Sequence, residues 1–183
     1  MADLALYPMA PLIRFTLIAL YLALVLPLPV LAPEGLQLMM LLAVPLGLVL
    51  VLALTSERVE LDAEGVRVGH PAWCSWLLRR GWSLHWSQVK GLTPVATSQG
   101  GRVYYVRSSG AGQAFLLPQR VARFDDFLAR FAASSGVDTS GIGRISPAWT
   151  YRLLALLCAL LLAGELLAIF LWAPSRWAIP GLS

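Results

Sequence analysis

The sequence predicts a membrane-anchored α+β protein in which a transmembrane hairpin, a small soluble domain and a third transmembrane helix follow one another. Three observations predict it. Only 13% of the 183 residues are charged while 58% are hydrophobic, at a mean hydropathy of +0.70, whereas an ordinary globular domain carries roughly 25% charged residues. The apolar residues gather into three runs, each long enough to cross a bilayer. The polar residues gather between Glu57 and Ser135, where the apolar pattern first has period two and then that of a helix. Setting the spans aside leaves roughly 90 residues, enough for one compact domain.

Residues 1–11 read as a short leader. Asp3 stands where a signal peptide would carry basic residues, and a second apolar run follows the first, so the segment reads as a retained anchor. The first span is residues 12–32, with Arg14 near its start, where the long stem lets the guanidinium reach the headgroups. Pro27 and Pro29 lie near its far end, where a lost helical hydrogen bond matters less. Pro33-Glu34-Gly35 is too short for anything but an antiparallel turn. The second span, residues 36–54, has no charge and one internal proline, Pro45, which predicts a kink or a neighbour that satisfies the freed backbone.

The domain, residues 57–135, opens with Val59 and Leu61 alternating with Arg58, Glu60 and Asp62, and the alternation resumes at Val66-Arg67-Val68. This is the pattern of a tight hairpin, with Gly65 free to take a positive φ. Further strands are expected over Ser75–Arg79, Trp82–Trp86, Lys90–Ala96, Arg102–Arg107 and Gln113–Leu117, separated by Gly- and Ser-containing turns. After Pro118, Val121, Phe124, Phe127, Leu128 and Phe131 share one stripe, which predicts an amphipathic helix packed on the sheet and ended by Gly136. Residues 136–148 read as a linker. The third span, residues 149–172, has Trp149, Tyr151 and Arg152 at its start and Trp172 and Trp177 at its end, as an interfacial aromatic belt requires; residues 173–183 form a tail.

Between Glu57 and Arg144 there are eleven Lys or Arg against seven Asp or Glu, while the hairpin turn offers only Glu34. Basic residues are retained on the cytoplasmic side, so the domain and the N-terminus are expected there and the C-terminus opposite. The same rule accounts for the net charge of +4 without nucleic acid. Cys74 and Cys158 fall in different segments, which argues for reduced thiols.

The candidate contact surface is Trp73, Trp76, Arg79, Arg80 and Trp82. Trp73 and Trp76 lie in GHPAWCSW, an irregular stretch whose composition suits either the membrane interface or a partner's surface. Arg79 and Arg80 are placed to meet lipid phosphates or an acidic partner, or to sit in a solvated turn. Trp82, Leu84 and Trp86 share one strand face, which makes Trp82 and Trp86 core candidates as well. His70, Cys74 and His85 invite a metal reading, yet no second cysteine or compact His-x-x-x-His spacing completes a zinc set. No acid or oxyanion site is signposted to make Cys74 a nucleophile with His85 as base. No cofactor, no metal and no small-molecule substrate are expected.

Glu165 is the costly residue. Inside an apolar helix an ionised acid costs on the order of 2 to 3 kcal/mol, so the carboxyl is expected to be protonated or paired. Its partner is either a polar group on another protein or a backbone carbonyl freed by Pro27 or Pro45. Gly164 beside it permits close helix approach.

The opening ELDAEGVRV, through Leu61, Gly65 and Val66, and HWSQVKGL, through Trp86, Val89 and Leu92, resemble the bacterial pleckstrin-homology-like (bPH) membrane-anchored domain proteins. FLLPQRVARFDDFLARF looks like that family's last strand and helix. The resemblance implies a PH-like β-barrel closed by a C-terminal helix between spans two and three. A membrane hairpin with such a domain is also similar to the layout of thylakoid photosystem I assembly factors, although this chain adds a third span. Either resemblance implies binding rather than a reaction. The expectation is a non-enzymatic scaffold, subunit or assembly factor for an integral membrane protein complex, in a bacterial plasma or thylakoid membrane, with photosynthetic complexes among the candidates. The alternative is a PH-like sensor of anionic membrane lipids.

Overall fold

The computed structural model describes residues 4–78, 81–98, 100–110 and 112–176, with side chains to residue 171. The elements are β1 (Ala5–Pro8), α1 (Pro11–Val25), α2 (Leu28–Leu31), α3 (Gln37–Leu54), β2 (Arg58–Leu61), β3 (Gly65–Gly69), β4 (Trp82–His85), β5 (Val89–Ala96), β6 (Arg102–Ser108), β7 (Ala114–Leu116), α4 (Phe124–Ser135) and α5 (Ala148–Arg176). The chain divides into two units: a soluble one built from the N-terminus to Arg14 together with Leu52–Ala148, and an apolar one built from Phe15–Val51 and the chain from Trp149.

The soluble unit holds two antiparallel sheets, ordered β1-β2-β3-β4 and β5-β6-β7. The alternation read from the sequence sets the register: Val59 faces Val68 and Leu61 faces Val66 across the first hairpin, and all four are buried. The turn between them rests on Asp62, whose Oδ1 accepts the amide protons of Glu64 and Gly65 at 2.9 and 2.8 Å. Those bonds, Gly65's foremost, hold the Asp62 carboxyl below its ordinary range. Gly65 does not take a positive φ as expected. It is needed for space, because a Cβ there would strike the Leu84 carbonyl of β4.

The expected closed barrel is not formed. A 3-10 turn, Trp86–Gln88, follows β4 and carries the chain into the second sheet, and the two sheets share a core rather than a ladder. Tyr7, Val59, Val66 and Leu84 from one sheet and Tyr104 and Val106 from the other meet Phe124, Phe127, Leu128 and Phe131 of α4. The stripe predicted from spacing is therefore the buried face of α4, although the helix begins at Phe124 and Val121 instead bridges Met9. Gly136, in the left-handed conformation at φ +70°, caps it.

Three further sequence expectations are corrected in this unit. Residues 1–11 are not only a leader, since Ala5–Pro8 is an edge strand paired with Arg58–Leu61, and Met9 and Ala10 continue the contact through Glu57 and Arg120. Ser75–Arg79 contains no strand among its described residues; residues 72–77 are turns, because Pro71 starts a series of short-range bonds in place of a ladder. The linker is packed: the Tyr104 hydroxyl donates to Gly141 O, Gln119 Nε2 donates to Gly143 O, and Val137 and Ile142 lie against the core.

In the apolar unit three stretches are long and apolar enough to cross a membrane: Pro11–Leu31, Gln37–Leu54 and Ala148–Leu171. The first is broken where Pro27 interrupts it, so that α1 ends at Val25 and α2 restarts at Leu28. The second runs through Pro45 unbroken. Beside that proline the Tyr21 hydroxyl donates to Val44 O at 2.6 Å, and Gly47 leaves room for the Tyr21 ring. The sequence predicts a kink or a neighbour for the carbonyl that Pro45 frees, which is that of Leu41, whereas Tyr21 meets the carbonyl of Val44.

Candidate functional site

The candidate side chains of the soluble unit begin with the stretch between β3 and β4. Pro71 O accepts from the amides of Cys74 and Ser75 at 3.1 and 3.0 Å, and Cys74 O accepts from those of Leu77 and Leu78 at 3.0 and 3.3 Å. The result is a compact turn that pairs part of its own backbone. The Trp76 indole N–H donates to Trp73 O at 2.9 Å. Cys74 points inward and is buried, with Sγ 3.3 Å from Ser56 Oγ and 3.6 Å from Pro71 O. Its neighbours point outward: Trp73, Trp76 and Leu77 are 51, 79 and 50% exposed. Three large apolar side chains thus stand exposed on a segment held by internal bonds.

Trp82 is separated from this group. It is half-buried on β4, stacked on Phe115 of β7 with ring centroids 5.2 Å apart, and belongs to the core packing. Trp86 likewise meets Phe131 edge-on, and its indole donates to Asp62 O at 3.0 Å. Of the proposed surface, the structure thus brings together Trp73 and Trp76 and adds Leu77, which sequence reading took for a strand residue between the tryptophans. Arg79 and Arg80 lie outside the described residues.

His70, Cys74 and His85 do not converge on a metal site; among the described residues no three His, Cys, Asp or Glu side chains are placed to hold one ion. His70 Nδ1 is buried without a hydrogen-bond partner. A groove along β3 and β4, lined by Asp62, Glu64, Arg67, Ser83 and His85, has a volume of about 140 Å³, below the roughly 300 Å³ at which small-molecule sites begin.

In the apolar unit, Glu165 lies on α5 within the span Ala148–Leu171, most of whose side chains are not covered by the chain itself. The residue is half-buried, and its Oε2 is enclosed with no hydrogen-bond partner. The backbone carbonyl foreseen as a possible partner is not supplied to that oxygen. Gly164 faces open space, with nothing within 4 Å of where a Cβ would stand. Oε2 is covered by the chain itself, so a group arriving from outside the chain meets the carboxyl only once the side chain turns outward beside the open backbone at Gly164.

Over 182 residues the chain is 42% identical to the uncharacterized protein slr0269 of Synechocystis sp. (strain ATCC 27184 / PCC 6803 / Kazusa), covering 97% of this chain and 89% of the relative. No family model and no solved structure matches the sequence.

Proposed function

This chain belongs to the family of the Synechocystis protein slr0269, and from that membership and its architecture we propose that it is a non-enzymatic membrane-anchored scaffold, subunit or assembly factor that binds an integral membrane protein complex. Glu165 carries the reading. A carboxyl in a span whose most apolar 18 residues have a mean hydropathy of 2.6 costs on the order of 2 to 3 kcal/mol if left ionised and alone, and the chain gives its Oε2 no partner. A polar group on a neighbouring transmembrane helix, docked close over Gly164, removes that cost. Three spans also exceed what tethering needs, since one transmembrane helix already retains a protein effectively irreversibly.

The soluble unit is read as a divergent relative of the bPH domains; two antiparallel sheets followed by a packed helix support that order of elements. A cyanobacterial relative is in keeping with a plasma or thylakoid membrane and with a photosynthetic partner complex. The soluble unit and N-terminus face the cytoplasm in this reading.

The test is affinity purification of the tagged full-length protein from native membranes in mild detergent, beside Glu165→Leu and Glu165→Gln. A defined membrane complex is expected with the wild type, lost with Leu and largely kept with Gln, which preserves the hydrogen bond. Equal recovery of the same proteins with Glu165→Leu, or a wild type that elutes alone, overturns the proposal.

A further inference from the structure

We infer that the turn at residues 72–77 is a second, peripheral membrane anchor, whose Trp73, Trp76 and Leu77 side chains insert into the interfacial layer of the bilayer that α3 crosses. This goes beyond the assembly reading, because it needs lipid and no protein partner.

The position of the turn comes first. Ser56 lies two residues beyond the end of α3 at Leu54, and its hydroxyl donates back to Ala53 O at 2.7 Å, in the last turn of that helix. The same hydroxyl lies 3.3 Å from Cys74 Sγ. The centre of the turn is thereby held against the point where the chain leaves a span of mean hydropathy 2.5. That level is the headgroup region, where tryptophan is enriched because its ring is apolar and its edge polar.

The chemistry of the turn fits the same place. Backbone groups entering a layer poor in water fare best with partners of their own, and the amides of Cys74, Ser75, Leu77 and Leu78 have them in the carbonyls of Pro71 and Cys74. The Trp76 indole, the most exposed of the set at 79%, has its N–H already taken by Trp73 O. What remains outward is ring face and the Leu77 side chain, which gain from leaving water. No charge is involved among these three side chains, so the contact does not depend on anionic lipid.

The test uses the full-length protein in phosphatidylcholine nanodiscs, taking the difference in tryptophan emission between the wild type and Trp73→Phe/Trp76→Phe. Most of that difference emission is expected to be lost when the lipids are brominated near the headgroup end of the acyl chains, and to survive acrylamide. Emission that acrylamide quenches and brominated lipid does not overturns the inference. So does emission that neither reaches, which would mean a protein surface covers the turn, and so does quenching that appears only with phosphatidylglycerol and vanishes in high salt. A nitroxide at Ser75→Cys gives an independent reading, since Cys74 and Cys158 are buried. It is expected to be more accessible to oxygen than to a water-soluble nickel chelate, and the reverse order overturns the inference. No partner complex is present, so failure here is separate from failure of the Glu165 test.

Discussion

Tyr7 shows how a single side chain ties the start of the sequence to the soluble unit. It is fully buried on β1, 5.5 Å from Phe127 between ring centroids, with its hydroxyl donating to Asp126 Oδ2 at 2.6 Å. The Arg123 guanidinium sits 5.2 Å over its ring and donates to Leu6 O at 3.2 Å, which accounts for a non-glycine residue held at φ +49° ahead of α4. Burial, and then the bond to Asp126, push the Tyr7 hydroxyl up to about 12 from 10.0. Below pH 10 the phenol is protonated in both folded and unfolded chains, and its contribution is complete. Between pH 10 and about 12 only the unfolded chain ionises it, so stability falls with rising pH across that window. Tyr7→Phe is expected to abolish this alkaline loss in thermal melts of the purified protein. The same bond holds Asp126 below its ordinary range, so its contribution is lost as pH falls through that lowered value, and Tyr7→Phe shifts the acid limb upward. Tyr7→Ala also loses the packing and costs about 3 to 5 kcal/mol. An alkaline limb unchanged in Tyr7→Phe would show that another group governs it.

At the level of elements, what was legible depended on whether the signal was local. The Val59/Leu61 and Val66/Val68 alternation and the Phe124–Phe131 stripe are each written within a dozen residues, and both became buried faces. Strand β1 is written across fifty residues: Ala5–Pro8 merges with the apolar run that follows, and only its register against Arg58–Leu61 reveals it. The aromatic turn failed in the other direction. Its tryptophans were visible, but their composition equally fits a strand, and nothing in the sequence announces that Ser56 and Cys74 meet. Glycines divide in the same way. Gly136 was legible as a helix end and is required for its backbone, since nothing lies within 4 Å of its would-be Cβ and only the φ of +70° resists substitution. Gly136→Ala is therefore expected to cost about 1 to 2 kcal/mol, seen as a lower melting midpoint with the sheet contacts intact. Gly65 needs room beside Leu84 O, a requirement no turn pattern encodes, so Gly65→Ala disturbs the β3–β4 ladder and is the more damaging of the two. A Gly136→Ala protein that melts below Gly65→Ala would reverse this assignment.

For the whole molecule, hydropathy was enough to locate the three helices long and apolar enough to cross a membrane, because their signal needs no tertiary context. Sidedness gains an argument the sequence did not offer. Strand β1 precedes the first span and β2 follows the second, and they share a ladder from Ala5–Leu61 to Pro8–Arg58. A hydrogen-bonded ladder cannot run through a bilayer without pairing every edge, so the two ends of the membrane hairpin belong to one aqueous compartment. The segment leading to α5 is bonded to the same unit through Gly141 and Gly143, so a membrane-crossing α5 is expected to start from that compartment and lead to the other. Charge gives the expectation for which compartment is which: eleven basic against seven acidic residues between Glu57 and Arg144, with Arg152 just inside the third span, predict the cytoplasm for the sheets. Fusions to a bacterial expression host's reporters test both steps. A fluorescent protein at the N-terminus and another inserted after Gly110 are expected to fold and fluoresce in the cytoplasm, and alkaline phosphatase is expected to be active only at the C-terminus. Opposite compartments for the first two would break the β1–β2 ladder argument. A uniform inversion of all three would leave the ladder standing and overturn the charge rule, and with it the cytoplasmic placing of the aromatic turn.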